Sequence, residues 1–278
     1  MPERPSRLEE SYRARAVPAG SPRYWSWLFA APRMREPLLG IYALLAEWHA
    51  LTDPAVQLDA AHLKLAWWRE EIERLGRGAP VHPIGRYLAS LPRAHAVGFT
   101  PLEKTLAAAA RQIGGAPLER GVELEAHAAA LWADPLAVAA RLGGERPPAL
   151  DEAVHRAESA LAAAEYLNDA IASYRRAARF GRVVFPVDEL LAANIENADL
   201  TAAEPPVHLQ SYLEELRRRA VRYCSQASAA LPRSEHEPMR HLLVLSALGA
   251  RQASNRQRGV LPDLYLAWST ARRAARRQ

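Results

Sequence analysis

The chain has 278 residues, of which 49% are apolar, so it can bury a sizeable core and does not have the composition of a disordered segment. Its single cysteine, Cys224, excludes an internal disulfide framework and a cysteine-rich zinc site, and fits a packed thiol in a reducing compartment. Arg and Glu are mixed along most helices, the excess behind the net charge of +5 gathers near the C-terminal end, and no recognition motif accompanies it, so nucleic-acid binding is not expected.

Residues 1 to 20 are polar, edged by prolines and without the apolar stretch of a signal peptide; they are expected to form a mobile tail ahead of one domain over residues 21–278. From Tyr24 to Trp48 apolar residues recur at helical spacing, with a break at Pro32. Between Ala60 and Leu75, the residues Ala61, Leu65, Trp68, Ile72 and Leu75 step by four and three, which places them on one helix face. Trp68 is expected in the core and Trp67 at its edge. Gly76-Arg77-Gly78 should stop that helix.

Further helices are predicted over Ile84–Leu91, Pro101–Ile113, Leu118–Leu142, Asp151–Ala178 and Val207–Leu231. Another runs from Glu237 through Gly249 towards Arg258, and a last segment follows Pro262. Only Val183–Phe185 looks strand-like. The longest apolar run, Leu38 to Ala46, is well short of the roughly 20 residues a bilayer requires. The terminal Arg272, Arg273, Arg276 and Arg277 read as a solvated helix end that opposes the helix dipole, or else as a lipid or protein contact. An all-α, single-domain bundle follows.

The usual catalytic signatures are missing: there is no P-loop, no G-x-G-x-x-G, no G-x-S-x-G and no H-E-x-x-H. Histidines such as His127 and His155 read as satisfied or exposed side chains rather than ligands. Two stretches stand out. The first is LLGIYALLAEWHALTD from Leu38, followed by KLAWWREEIERLGRGAPVHP from Lys64; the second is LAAAEYLNDAIASYRRAARFGRVVFPVDEL from Leu161.

In this order, and with the closing LPDLYLAWSTARR, they resemble the squalene/phytoene synthase family from Tyr24 onward. The resemblance implies an isoprenoid synthase bundle around a central cavity. It also implies prenyl condensation driven by Mg²⁺, which takes carboxylate ligands from facing helices and neutralises a diphosphate leaving group.

Measured against the family's motifs, Tyr42 takes the tyrosine position, Ala46 an arginine position and His49 the first aspartate position; Asp53 is kept. In the second motif Asp169 takes the asparagine position, Ser173 an aspartate position, and Arg176-Ala177 the closing acidic pair. Two unit charges about 4 Å apart interact by roughly 4 kcal/mol at an effective dielectric near 20. Exchanging carboxylates for arginine therefore turns attraction for Mg²⁺ into repulsion.

The resemblance is strongest to a branch that keeps the K-L-x-W-W-R helix and loses the aspartates, and that is implicated in assembly of respiratory complex I. It implies no cofactor, a protein client such as complex I subunits, a prenyl or lipid ligand, and a cytoplasmic place peripheral to the inner membrane. The alternative is a divergent Mg²⁺-dependent prenyl transferase using Tyr42, Asp53 and Asp169, with Glu47 and Glu165 as further metal ligands. Glu165 and Asp169 otherwise read as an ordinary solvated or arginine-paired helix face. Arg175, Arg176, Arg179 and Arg182 are candidates for a metal-free diphosphate clamp, or else form a charged face near a loop. Glu47, His49 and Trp67 complete the candidate pocket.

Overall fold

The computed structural model describes residues 8–254 and 259–276, and every regular element among them is helical. Apart from three short 3₁₀ turns, these are in chain order α1 (Glu10–Ala16), α2 (Pro22–Leu28), α3 (Pro32–Leu51), α4 (Leu58–Gly76), α5 (Pro83–Ala89) and α6 (Pro101–Ile113). Then come α7 (Leu124–Ala128), a π-helical turn (Ala129–Ala133), α8 (Asp134–Gly143) and α9 (Pro148–Arg179). The chain closes with α10 (Val187–Ala192), α11 (Asn197–Thr201), α12 (Val207–Ala230), α13 (Arg240–Ala253) and α14 (Val260–Ala275).

Prolines punctuate the bundle by starting helices. Pro22, Pro32, Pro83 and Pro101 each take a first-turn position, where the missing N–H costs nothing. Pro32 thus opens α3 rather than interrupting a longer helix. Ser21 Oγ accepts from the Tyr24 amide at 3.1 Å and caps α2.

Two long helices end in the same way. Gly78 and Gly181 lie at φ +74° and +70°, a conformation that glycine enters without strain. The amides of Ala79 and Arg182 reach back to the carbonyls of Arg74 and Ala177, and those of Gly78 and Gly181 to Leu75 and Ala178. Both are Schellman closures.

Three apolar clusters hold the bundle together. The largest surrounds α3, which is buried along most of its length between α4, α5, α6 and α8, and it takes in the first half of α9. A second joins the other half of α9 to α7, α10, α11 and α12. A small third cluster attaches α14 to α13 and α2. The predicted face of α4 is the buried one: Ala61, Leu65, Trp68, Ile72 and Leu75 are each at most 4% exposed. Cys224 is a buried thiol, pushed up to about 12 by that burial.

Three expectations need correction. The stretch expected as a mobile tail contains α1, which packs on α3 with Ala16 and Val17 buried; residues 1–7 lie outside the described residues. The helix expected over Leu118–Leu142 is broken into α7, the π turn and α8. Val183–Phe185 is irregular backbone, not strand.

The tryptophan-rich segment turns out to be a structural lock. Trp68 meets Trp48 edge-on at 5.9 Å and His82 at 4.6 Å. Glu71, 1% exposed, accepts the amides of Val81 and His82 at 3.0 and 2.8 Å and pairs with Arg74 Nε at 2.9 Å. A buried carboxylate with these partners pins the loop behind α4 to the helix.

Candidate functional site

A cavity of about 350 Å³ opens between α3, α6, the π turn and α9, with the chain after Gly181 closing one side. Its wall is mainly apolar, drawn from Leu45, Trp48, Ala109, Leu131, Trp132 and Val184. The π turn shapes this wall. Its carbonyl at Ala130 accepts from Thr105 Oγ1 on α6 at 2.7 Å, so the irregular backbone is satisfied while Leu131 and Trp132 face inward.

The polar groups divide into an inner and an outer set. Inside, His49 from α3 and Asp169 from α9 both open onto the cavity. Both stay open to solvent through the cavity, and their partial enclosure by the bundle lowers the His49 pKa and raises that of Asp169, while the attraction between the charged forms opposes both shifts. Arg23 stands over the Trp132 ring at 4.5 Å and adds positive charge near both. His127, lowered to about 4 chiefly by burial, is neutral and lies edge-on to Tyr166 at 5.6 Å. The Tyr166 hydroxyl donates to the Val184 carbonyl at 2.9 Å.

At the mouth, Arg176 Nη2 donates to both carboxylate oxygens of Asp53, at 2.8 and 2.9 Å. The Schellman turn at Gly181 directs Arg182 back across the opening, where Nη1 donates to the Thr52 carbonyl at 3.0 Å. Asp53 also accepts from the Ala55 amide at 2.9 Å, and that bond, followed by Arg176, holds its carboxyl below the usual range. One carboxylate thus faces two guanidinium groups.

The remaining candidates lie elsewhere. Tyr42 is buried on α3 outside the cavity lining, sharing a 3.0 Å hydrogen bond with Ser26; burial raises it to about 12. Glu47 turns to the opposite side of α3, where Arg15 of α1 binds it at 2.7 Å. Glu165 lies where α9, α12 and α13 meet: a Cβ on Gly249 would come within 3.2 Å of both Glu165 Oε1 and Cys224 Sγ. Trp67 sits on the outside of α4 under Arg74, 39% exposed. Arg175 turns to the Tyr174 hydroxyl at 3.0 Å, and Arg179 is exposed outside the cavity.

The four arginines therefore do not act as one clamp, since only Arg176 and Arg182 reach the mouth. The four carboxylates do not converge either. Among the described residues no three acidic, histidine or cysteine side chains are grouped where a metal ion could be held. The donor set does not fit a magnesium cluster. Thr105, His127, Trp132 and Tyr166, absent from the sequence-level site, are part of the wall.

The squalene/phytoene synthase family model matches residues 17–274. The chain belongs to the squalene/phytoene synthase family. Two solved structures share its fold along nearly the whole length. A dehydrosqualene synthase in complex with ligand is 12% identical with a TM-score of 0.69, and the match covers 96% of this chain and 98% of that one. The squalene synthase HpnC from Alicyclobacillus acidocaldarius is 17% identical with a TM-score of 0.67, covering 96% and 94%. No curated protein sequence matches the chain. The isoprenoid synthase architecture expected from the two motif stretches is the architecture observed, and the cavity lies between helices that carry those stretches.

Proposed function

We propose that this chain is a non-catalytic member of the squalene/phytoene synthase family: an assembly or interaction factor of the respiratory complex I type that works beside a membrane and holds a prenyl or other lipid chain in its cavity. The supporting observation is the bridge from Arg176 to Asp53. The one retained motif carboxylate is tied up by a cation in a position that the family fills with an acid. With Arg182 beside it, the mouth carries a net positive charge and repels the divalent ions that a diphosphate leaving group requires. The apolar wall behind it keeps room for a hydrocarbon chain.

Two experiments test the reading. Purified protein incubated with farnesyl or geranylgeranyl diphosphate and Mg²⁺ should yield no condensed product; turnover that disappears in Asp53→Ala would overturn the non-catalytic part. Deletion of the gene should lower NADH:quinone oxidoreductase activity in isolated membranes, and an unchanged activity would remove the assembly role.

The likeness to two synthases over nearly their full length favours a second reading, a divergent prenyl transferase. It requires Asp53 to leave Arg176 and join Asp169 around a metal. The same incubation distinguishes the two.

A further inference from the structure

Helix α14 leaves a row of large apolar side chains uncovered. Its inner face, packed on α13 and α2, buries the small side chains Ala267, Ala271 and Ala274 with Asp263 at its start, while Leu264 and Leu266 pack at the edges of the seam. Four of its large apolar residues nevertheless lie on the outer side. Leu261, Tyr265 and Trp268 are 75%, 68% and 41% exposed, and Val260 adjoins them at 64%. The spacing of Leu261, Tyr265, Trp268 and Arg272 by four, three and four aligns them in one stripe about 16 Å long. Scattered apolar residues on a surface are ordinary, but a continuous apolar stripe on a helix whose alanines face the core marks a contact.

The charge around the stripe identifies the contact. Arg272 lies over the Trp268 ring at 5.1 Å, and Arg273 and Arg276 follow it, all three exposed. Across α2, α13 and α14, the three helices of this corner, the sole carboxylate is Asp263; it is 4% exposed and paired with Arg251 at 3.2 Å. The corner therefore presents apolar and aromatic groups beside guanidinium groups, with no exposed acid on its helices. Tyr and Trp favour the interfacial zone of a bilayer, and guanidinium groups seek anionic headgroups. No described helix is long and apolar enough to cross a membrane, so the contact lies in the surface plane.

We propose that the outer face of α14 docks this protein peripherally on an anionic phospholipid surface, with Leu261, Tyr265 and Trp268 entering the headgroup layer and Arg272, Arg273 and Arg276 paired with phosphates. This rests on the membrane-side part of the function proposed above and gives it a face.

Flotation of the purified full chain with vesicles of phosphatidylcholine alone, or mixed equally with phosphatidylglycerol, tests it. The protein should float with the anionic vesicles, remain behind with the neutral ones, and be released by salt. Tyr265→Ser/Trp268→Ser should lower the bound fraction at least about tenfold, whereas Val122→Ser, an exposed apolar site far along the chain, should leave it unchanged. Arg272→Gln/Arg273→Gln should flatten the salt dependence without touching the apolar stripe.

The proposal fails if the wild type does not float, or if the serine double variant floats equally with its helical circular dichroism intact. It also fails if sedimentation equilibrium shows that the stripe joins two copies of the chain, with the dimer lost in that variant. A missing flotation signal alongside a NADH:quinone oxidoreductase defect on deletion would remove this docking face and leave the assembly role. Flotation without that defect would do the reverse.

Discussion

Arg176 grips Asp53 through one nitrogen that contacts both carboxylate oxygens, joining the ends of α3 and α9 across the mouth of the cavity. Both side chains are partly exposed, at 58% and 40%, so the pair adds little to stability, about 1 kcal/mol or less. A double-mutant cycle with Asp53→Asn and Arg176→Gln, followed by urea unfolding, should return a coupling of that size. The Asp53 carboxyl titrates below its unfolded value of 3.8. Its contribution is therefore present above that pH and is lost as pH falls through the lower folded value.

Arg176→Asp combined with Ser173→Asp should create Mg²⁺ affinity well above any shown by the wild type. The double change returns acids to two positions facing Asp53 and removes the cation that occupies it. Isothermal titration with MgCl₂ measures this directly; heat of binding from the wild type at the mouth would contradict the repulsion argued above.

Glu158 on α9 is fully buried, and burial raises it from 4.5 to about 7 despite His155 Nδ1 at 3.7 Å. A carboxyl raised in the folded state stabilises below its unfolded value, and that stabilisation is lost as pH rises through about 7. Glu158→Gln should match the wild type near pH 4.5 and exceed it at pH 8 by on the order of 2 kcal/mol in urea unfolding. His241, buried and lowered to about 3, produces the opposite slope on the acid side. Only the difference between variant and wild type at each pH isolates Glu158.

The adjacent tryptophans of α4 should behave unequally. Trp68→Ala removes a buried ring wedged between Trp48 and His82 and should cost about 3–5 kcal/mol. Trp67→Ala removes a ring on the outer side, and its cost should be well under half of that. Thermal unfolding of the pair checks the ratio.

Ala170→Phe should fill the cavity from the α9 wall and abolish retention of a geranylgeranyl chain, read by native mass spectrometry. Retention at the wild-type level would place the ligand elsewhere.

The helices were legible wherever a single face is buried. The five apolar positions of α4 follow a strict helical step, and Pro101 and Ile113 are the observed ends of α6. The π turn was not legible, because Ala128, Ala129 and Ala130 give no periodic contrast by which to notice an extra residue. Helix α1 was missed because its seven residues are mostly polar; its place depends on α3 and on the partner Glu47.

The site was half legible for a related reason. Residues 169, 173 and 176 share one face of α9, and Asp53 follows His49 just beyond the end of α3, so motif spacing brought them to one cavity. Glu47 precedes His49 by two residues, which puts the two about 200° apart around the helix; nearness in sequence misled there. Arg175 departs from Arg176 by a single step of about 100° and turns away in the same manner. The cavity wall at Thr105, His127 and Trp132 comes from elements that carry no motif, and only the tertiary arrangement assigns them.

Helix α9 spans 32 residues, about 48 Å, and serves both large clusters. Val154, Ala157 and Leu161 belong to the one around α3, while Leu167 and Tyr174 belong to the one around α12. Neither half of the bundle can lose its packing without freeing a stretch of the rod that the other half needs. The molecule should consequently melt in one cooperative step, and a lipid seated in the cavity along α9 would raise the temperature of that step for both halves together.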